Sequence, residues 1–420
     1  MIFTRTLTRL AAALLLCSPA ISAPATGSPA TPVVSTEERL TRLEQRFEAL
    51  AEENRQLREQ LAALRTGVPA AGAVAASGSL PASGPSEPAK AAKPAPLYVA
   101  AAGKEQKLTL GGFMHVNGEL GGAPDARWNG TRDRILLRRA RLNAAGSFAE
   151  NVAFKIEADF GANSLSARSG INAQLTDGYV DWTPLPALSL RVGQFKTPFG
   201  YEQLTPDTRT ATVERSLPND RLTIGRQPGI GASGKLGSTE AFTYSVGLFN
   251  GTGANTSTND NDNFLAAGRV AATILGGRGS DLPVRTSLGL NAYRSRDTGT
   301  FNGDRDGLGL DAQFAHDLAE LNLEWLQSEA DPRTGATTTA AGWASLLVLN
   351  LHARWQGAIR YETYDSNTDT AGSTSETWTL GATYRIRGDD LKFTLNYLIG
   401  DPATPLSDDS RLIGRMQIVF

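Results

Sequence analysis

The sequence predicts an all-β fold: a transmembrane antiparallel β-barrel of about sixteen strands, preceded by a short α-helical coiled coil and a disordered linker. Three observations predict it. From Lys107 onward, apolar and polar residues alternate with period two in stretches of about ten residues, the length a tilted strand needs to cross a bilayer. The connections between these stretches alternate short and long. The last stretch ends the chain on an aromatic residue, with Leu412, Gly414, Met416, Ile418 and Phe420 on one face and Arg415 and Gln417 on the other.

Residues 1–25 read as an export signal. Arg5 and Arg9 form the basic start, Leu10 to Leu16 the apolar run, and Ala23-Pro24-Ala25 the cleavage site. The single cysteine, Cys17, falls inside it, and Leu16 is too large for the residue before a lipidated cysteine. The remaining chain then has no thiol, which excludes cysteine catalysis and disulfides and suits an oxidising compartment. Over 36–65 the spacing of Leu40, Leu43, Phe47, Leu50, Asn54, Leu57, Leu61 and Leu64 is the a/d heptad of a self-associating helix, begun at Thr36. Asn54 stands at an a position, where a polar residue fixes register at a cost in stability. Residues 66–103 are rich in Ala, Pro, Gly and Ser and form a linker, too poor in apolar surface to fold. The barrel occupies 104–420.

Within the barrel, strands begin near residues 107, 133, 151, 173, 187, 227, 240, 263, 284, 306, 318, 340, 353, 375, 390 and 408. Short connections such as Ala149-Glu150-Asn151, Pro184-Leu185-Pro186 and Arg387 to Asp390 carry turn residues. The alternation of short and long links is the asymmetry between periplasmic turns and extracellular loops, with the coiled coil in the periplasm. One connection stands out, the third long one. Between Lys196 and Gln227 lie about thirty residues, more than twice any other link, and loops of that length in a compact domain are functional.

Net charge of −2, with 40% apolar and 20% charged residues, excludes a strongly basic nucleic-acid binder. An anion pathway needs a lumen lined by Arg or Lys. Alternation assigns Arg139, Arg141, Lys155, Arg191, Lys196, Arg269, Arg354, Arg360, Arg385, Lys392 and Arg415 to that lining. Opposing them are Glu157, Asp159, Asp177, Asp181, Asp311, Glu324 and Glu362. The long third loop is balanced, with Arg209, Arg215, Arg221 and Arg226 against Glu202, Asp207, Glu214 and Asp220. These charges serve either to attract anions or, as Arg–acid pairs, to brace strands and pin the loop. Lumen tyrosines Tyr179, Tyr293 and Tyr364 are the thin basis for an alternative, sugar-conducting reading.

Several stretches resemble the phosphate-selective porin O and P family. They are Leu137-Arg138-Arg139-Ala140-Arg141-Leu142, Phe148-Ala149-Glu150-Asn151, Glu157-Ala158-Asp159-Phe160-Gly161 and Tyr179-Val180-Asp181. Arg191 through Gly200, Glu214-Arg215-Ser216-Leu217 and Gly225-Arg226-Gln227-Pro228-Gly229 continue the match. The resemblance implies a homotrimer of sixteen-stranded pores in the Gram-negative outer membrane, passing small anionic solutes such as phosphate by diffusion. An enzyme in the barrel would need a nucleophile, base and orienting acid at one rim, and the residues suggest neither these nor a cofactor site. The other readings are a general-diffusion pore and a structural envelope anchor.

Other motifs carry no chemistry. Gly229-Ile230-Gly231-Ala232-Ser233-Gly234 has dinucleotide-loop spacing but lies within an alternating strand with no helix after it. Arg387-Gly388-Asp389 falls in a tight turn. Asn259 to Asn263 and Asp304-Arg305-Asp306-Gly307 lack the closing Glu of a calcium loop. His115, His316 and His352 are scattered without metal-ligand spacing.

Overall fold

The computed structural model describes residues 97–100, 107–162, 165, 172–237, 241–276, 282–297, 301–401 and 409–420. The expected signal, the coiled coil and all but the end of the linker lie outside them. In chain order the strands are β1 (Leu97–Ala100), β2 (Lys107–Gly121), β3 (Arg134–Ala149), β4 (Val152–Asp159), β5 (Gln174–Leu185), β6 (Leu188–Lys196) and β7 (Arg226–Leu236). There follow β8 (Phe242–Phe249), β9 (Leu265–Leu275), β10 (Val284–Arg296), β11 (Gly303–His316) and β12 (Ala319–Pro332). The last are β13 (Thr338–Asn350), β14 (Trp355–Asp365), β15 (Thr374–Arg387), β16 (Leu391–Asp401) and β17 (Ser410–Val419).

Strands β2 to β17 each pair antiparallel with their sequence neighbours, and β17 pairs with β2 to close a sixteen-stranded barrel. Each begins within three residues of the position that alternation predicts. Closure matters because an unpaired strand edge in hydrocarbon has no water to satisfy its backbone. The seam shows how the last edge is covered. Val419 lies opposite Phe113, and Phe420 exchanges backbone hydrogen bonds with Gly112 at 2.9 and 3.0 Å. Beyond that point β1 takes over the same edge of β2, with Leu97 opposite Leu110 and Ala100 opposite Lys107. Leu97–Ala100 were assigned to the linker by composition; the open edge of β2 makes them a strand.

The barrel is apolar outside and polar inside. In β16, Lys392, Thr394 and Asn396 are buried in the lumen while Phe393, Leu395, Tyr397 and Ile399 are exposed on the outer wall. In β2, buried His115, Asn117 and Glu119 alternate with exposed Met114 and Val116. Aromatic clusters sit near both strand ends of the outer face. Trp343, Tyr361 and Trp378 stack at 5.2 and 4.6 Å toward the long-loop end, and Trp355 meets Tyr384 at 4.8 Å at the short-turn end. Such rings mark the two membrane interfaces.

The connection between β6 and β7, residues 197–225, folds into the barrel. It is somewhat under twice as long as the next, residues 250–264, rather than more than twice. It carries two short helices, α1 (Tyr201–Leu204) and α2 (Leu217–Leu222). The inward turn is made at Gly200, whose φ of 86° disfavours any side chain, and a Cβ there would lie 2.8 Å from Thr223. Ser216 caps α2 by accepting from the Asn219 N–H at 3.3 Å. On one side the loop buries Phe199 and Leu222 against Phe195, Phe249, Leu265, Tyr293 and Leu326 of the wall. This apolar core therefore forms where the loop meets the wall.

Placing a charge on the outer wall tests this assignment. Leu395→Arg at mid-β16 should cost about 2–4 kcal/mol of stability in urea unfolding from lipid vesicles. A loss below 0.5 kcal/mol, roughly the effect of a water-facing substitution, would contradict a hydrocarbon-facing wall.

Candidate functional site: the constricted lumen

The inserted loop has no ladder of its own, so its backbone and carboxylates need partners from the wall. The wall supplies charges. Asp207, on a 3-10 turn, accepts from Arg141 and Arg215 at 2.7 Å each and lies 3.6 Å from Arg139. Glu214 takes both arms of Arg138, at 3.0 and 3.1 Å, and pairs with Arg415. Loop peptides are held too. Arg360 donates to the Glu214 carbonyl at 2.8 Å and to Thr212 Oγ1 at 2.9 Å. Asn396 Oδ1 accepts from the Val213 N–H at 2.6 Å, and Glu362 accepts from the Leu217 N–H at 3.0 Å. Lys392 donates to the Thr208 carbonyl at 3.0 Å. Glu324 accepts from the N–H groups of Tyr201 and Glu202, at 2.5 and 3.2 Å, at the start of α1.

Other expected lining residues pair along the wall, and Arg226, expected in the loop, instead opens β7 and joins them. Lys155 meets Asp177 and Glu157 at 2.8 and 2.9 Å, and Arg226 meets Asp177 at 2.6 Å. Arg191 grips Asp181 with two bonds of 2.7 Å and covers the Tyr179 ring at 3.7 Å. Arg269 pairs with Asp311 at 2.7 Å, and Arg385 lies 3.8 Å from Asp389. Lys196 is different, since its amino group donates to the carbonyls of Gln203 at 2.5 Å and Thr205 at 3.4 Å rather than to a carboxylate. In the loop, Arg209 and Arg221 are exposed and make no ion pair among the described residues. Arg354 is not on the lumen wall. It stands in the turn before β14, exposed, and donates to the Tyr384 hydroxyl at 3.3 Å. Alternation was carried one residue past the strand's start.

Alternation also missed a central residue. In β3 the partner of His115 is Arg139 but the partner of Val116 is Leu137, so Arg138 is the extra residue of a β-bulge. A bulge breaks period two, and Arg138 and Arg139 both reach Glu214. Arg127, in the first long loop, was missed as well. It pairs with Asp125 at 2.7 Å and stacks on Trp128 at 4.7 Å, and no period marks a loop residue.

Cavities lie on both sides of the loop. Toward the short-turn end a cavity of about 630 Å³ is lined by basic Arg141, Lys155, Arg191, Lys196 and Arg226 against acidic Glu157, Asp177 and Asp207. Toward the long-loop end a cavity of about 300 Å³ has Arg127, Arg138, Arg139 and Arg215 against Glu214 and Asp220. A third, of about 410 Å³ beside β12 to β15, sets Arg209, Arg360 and Arg385 against Glu202, Glu320, Glu324 and Asp389. The first two have two basic groups in excess, and the third has one acid in excess. Of these three, the basic excess lies beside β3 to β7, where such charge can raise the local concentration of an anion.

Burial alone would raise the Asp207 carboxyl, but Arg139, Arg215 and Arg141 outweigh it and hold it well below the usual carboxylate range. Glu214, raised by burial, is likewise carried well below that range by Arg138, Arg415 and Arg139. Depressed native values mean that the contribution of these groups is complete above the ordinary carboxylate range. It is lost as pH falls through the depressed values. Single-channel noise from loop motion should thus be unchanged between pH 7 and 5 and rise only below about pH 4. Glu214→Gln, which leaves buried guanidinium groups unpaired at a cost of about 3–5 kcal/mol, should produce that noise at pH 7. A quiet channel in the variant would show that the loop is held without this carboxylate.

Comparison with known proteins bears on the fold and the family. Among curated proteins no sequence relative was found. An anion-selective porin from Comamonas acidovorans matches at a TM-score of 0.56 with 17% identity, covering 75% of this chain and 100% of that one. The outer membrane channel DcaP of Acinetobacter baumannii matches at 0.53 with 15% identity, covering 75% and 98%. A trimer form of OmpT, an outer membrane protein of Vibrio cholerae, matches at 0.53 with 11% identity, covering 76% and 100%. These likenesses show the fold, and the sequence itself shows the family. Residues 121–403 match the model of phosphate-selective porin O and P, so this chain, an outer-membrane porin that forms a channel, belongs to that family.

Proposed function

We propose that the channel passes small hydrophilic solutes by diffusion and favours anions, phosphate among them. The observation that carries this reading is the excess of basic residues on both faces of the loop beside β3 to β7. Anions crossing there meet Lys196, which no carboxylate among the described residues neutralises within ion-pair distance, and arginines whose acids are shared between several partners. The excess is modest, so the preference is electrostatic enrichment more than tight binding. The long loops then face outward and the short turns the periplasm, where the coiled coil of 36–65 would stand. The trimeric form of one structural neighbour supports a homotrimer. A sugar channel is less well supported, because Tyr179 is covered by Arg191 and the Tyr293 hydroxyl is bonded to Ser328 at 2.7 Å.

The reversal potential of the purified protein in a planar bilayer under a potassium chloride gradient tests the reading. It should lie on the chloride side of zero, and added phosphate should reduce chloride current without blocking it at low concentration. Arg191→Glu reverses a half-exposed charge that makes no contact with the loop. That change of two unit charges, about 8 Å from a passing ion in water, shifts an anion and a cation by about 1 kcal/mol each in opposite directions, so the anion-to-cation permeability ratio should fall about thirtyfold. A neutral reversal potential in the unmodified protein would instead mean that the basic groups only brace the wall.

A further inference from the structure

A second site stands apart from the constriction, on its long-loop side. The cavity there, of about 430 Å³, is enclosed by the end of α2 and the upper parts of β10 to β14. Every other interior cavity described above mixes both signs of charge. This one is lined by Arg221 and Arg305 and by no Asp or Glu among the described residues. Neither arginine makes an ion pair among the described residues. Arg221 stands in the last turn of α2 and is exposed, while its neighbour Asp220 lines the cavity of about 300 Å³. Arg305 is exposed and rests its guanidinium on the Phe301 ring at 4.1 Å, which steadies the group without neutralising it.

The remaining lining is hydroxyl-rich over an apolar floor. Tyr364 and Thr338 present hydroxyls with no hydrogen-bond partner among the described residues. Gln227 accepts from the Gly253 N–H at 3.0 Å through Oε1, which leaves its amide nitrogen free to donate. Leu222, Ile224 and Leu265 lie beneath. A single inorganic anion would occupy little of such a space, since a water's share of liquid is about 30 Å³ and small-molecule pockets run from about 300 to 1,000 Å³.

We propose that this cavity captures an organic anion with a hydroxylated body, of the size and chemistry of a hexose phosphate, before it reaches the constriction. The proposal deepens the channel reading by naming a solute class, and it rests on that reading only for the step of transport. Arg221 and Arg305 would hold the phosphate through charge-assisted hydrogen bonds, for which the planar guanidinium is suited. The hydroxyls and the Gln227 amide would meet the sugar's hydroxyls, and the apolar floor its carbon face.

Calorimetry on the full-length protein in detergent, with glucose 6-phosphate, glucose and inorganic phosphate as probes, tests capture without relying on conduction. Glucose 6-phosphate should bind at least tenfold more tightly than either of the others. Arg221→Ala and Arg305→Ala should each weaken it tenfold or more, and Arg221→Lys should recover part of the loss. Should either alanine variant fail to fold, the ranking of the three probes on the unmodified protein decides. Equal binding of the three probes, or binding unchanged in both alanine variants, overturns the proposal. The Arg191→Glu reversal potential reports on the constriction alone. A neutral pore that still binds glucose 6-phosphate at Arg221 and Arg305 would therefore refute the anion preference and leave this site standing.

Discussion

Two carboxylates on an inserted loop, Asp207 and Glu214, organise the interior of this barrel. Four wall arginines, Arg138, Arg139, Arg141 and Arg415, and one from the loop, Arg215, converge on them. Taking such charges out of water is costly, and ion pairs of this kind add little net stability compared with apolar packing. Their effect is positional. A loop displaced by a few ångströms would leave buried guanidinium and carboxylate groups unpaired, so the constriction has one well-defined place.

That use of charge decides what remains for a solute. Most of the basic residues that point inward are engaged in bracing, as Arg360 with Glu362 and the Thr212 hydroxyl, or Arg269 with Asp311. What remains is a local excess beside β3 to β7, a lysine whose amino group donates to carbonyls, and two arginines above the loop in a cavity lined by no acid among the described residues. Rigidity and attraction draw on the same side chains, and the structure separates them by place.

The same logic holds for the backbone. In a closed barrel every strand edge must be covered, and here the chain's two ends share the edge of β2, with β17 along its upper part and β1 below. The inward loop, lacking strands, satisfies its peptides with Lys392, Asn396, Glu362 and Glu324. Polar lumen residues thus complete the loop's hydrogen bonding as well as lining the channel.

By itself the sequence determined the barrel, its strand number, the alternation of turns and loops and the singular length of the third loop. These follow from local period and from the placing of turn residues, which any single strand displays. It also assigned each strand's charges to a face, because a strand's two faces are fixed by parity. Parity failed at Arg138, where a bulge adds one residue, and at Arg354, where the strand had not yet begun. Only the tertiary structure decided which charges are consumed. Whether Arg141 attracts a solute or grips Asp207 depends on where a loop some sixty residues later comes to rest. That resting place is set by burial and pairing across the lumen, between residues whose closeness no local pattern records.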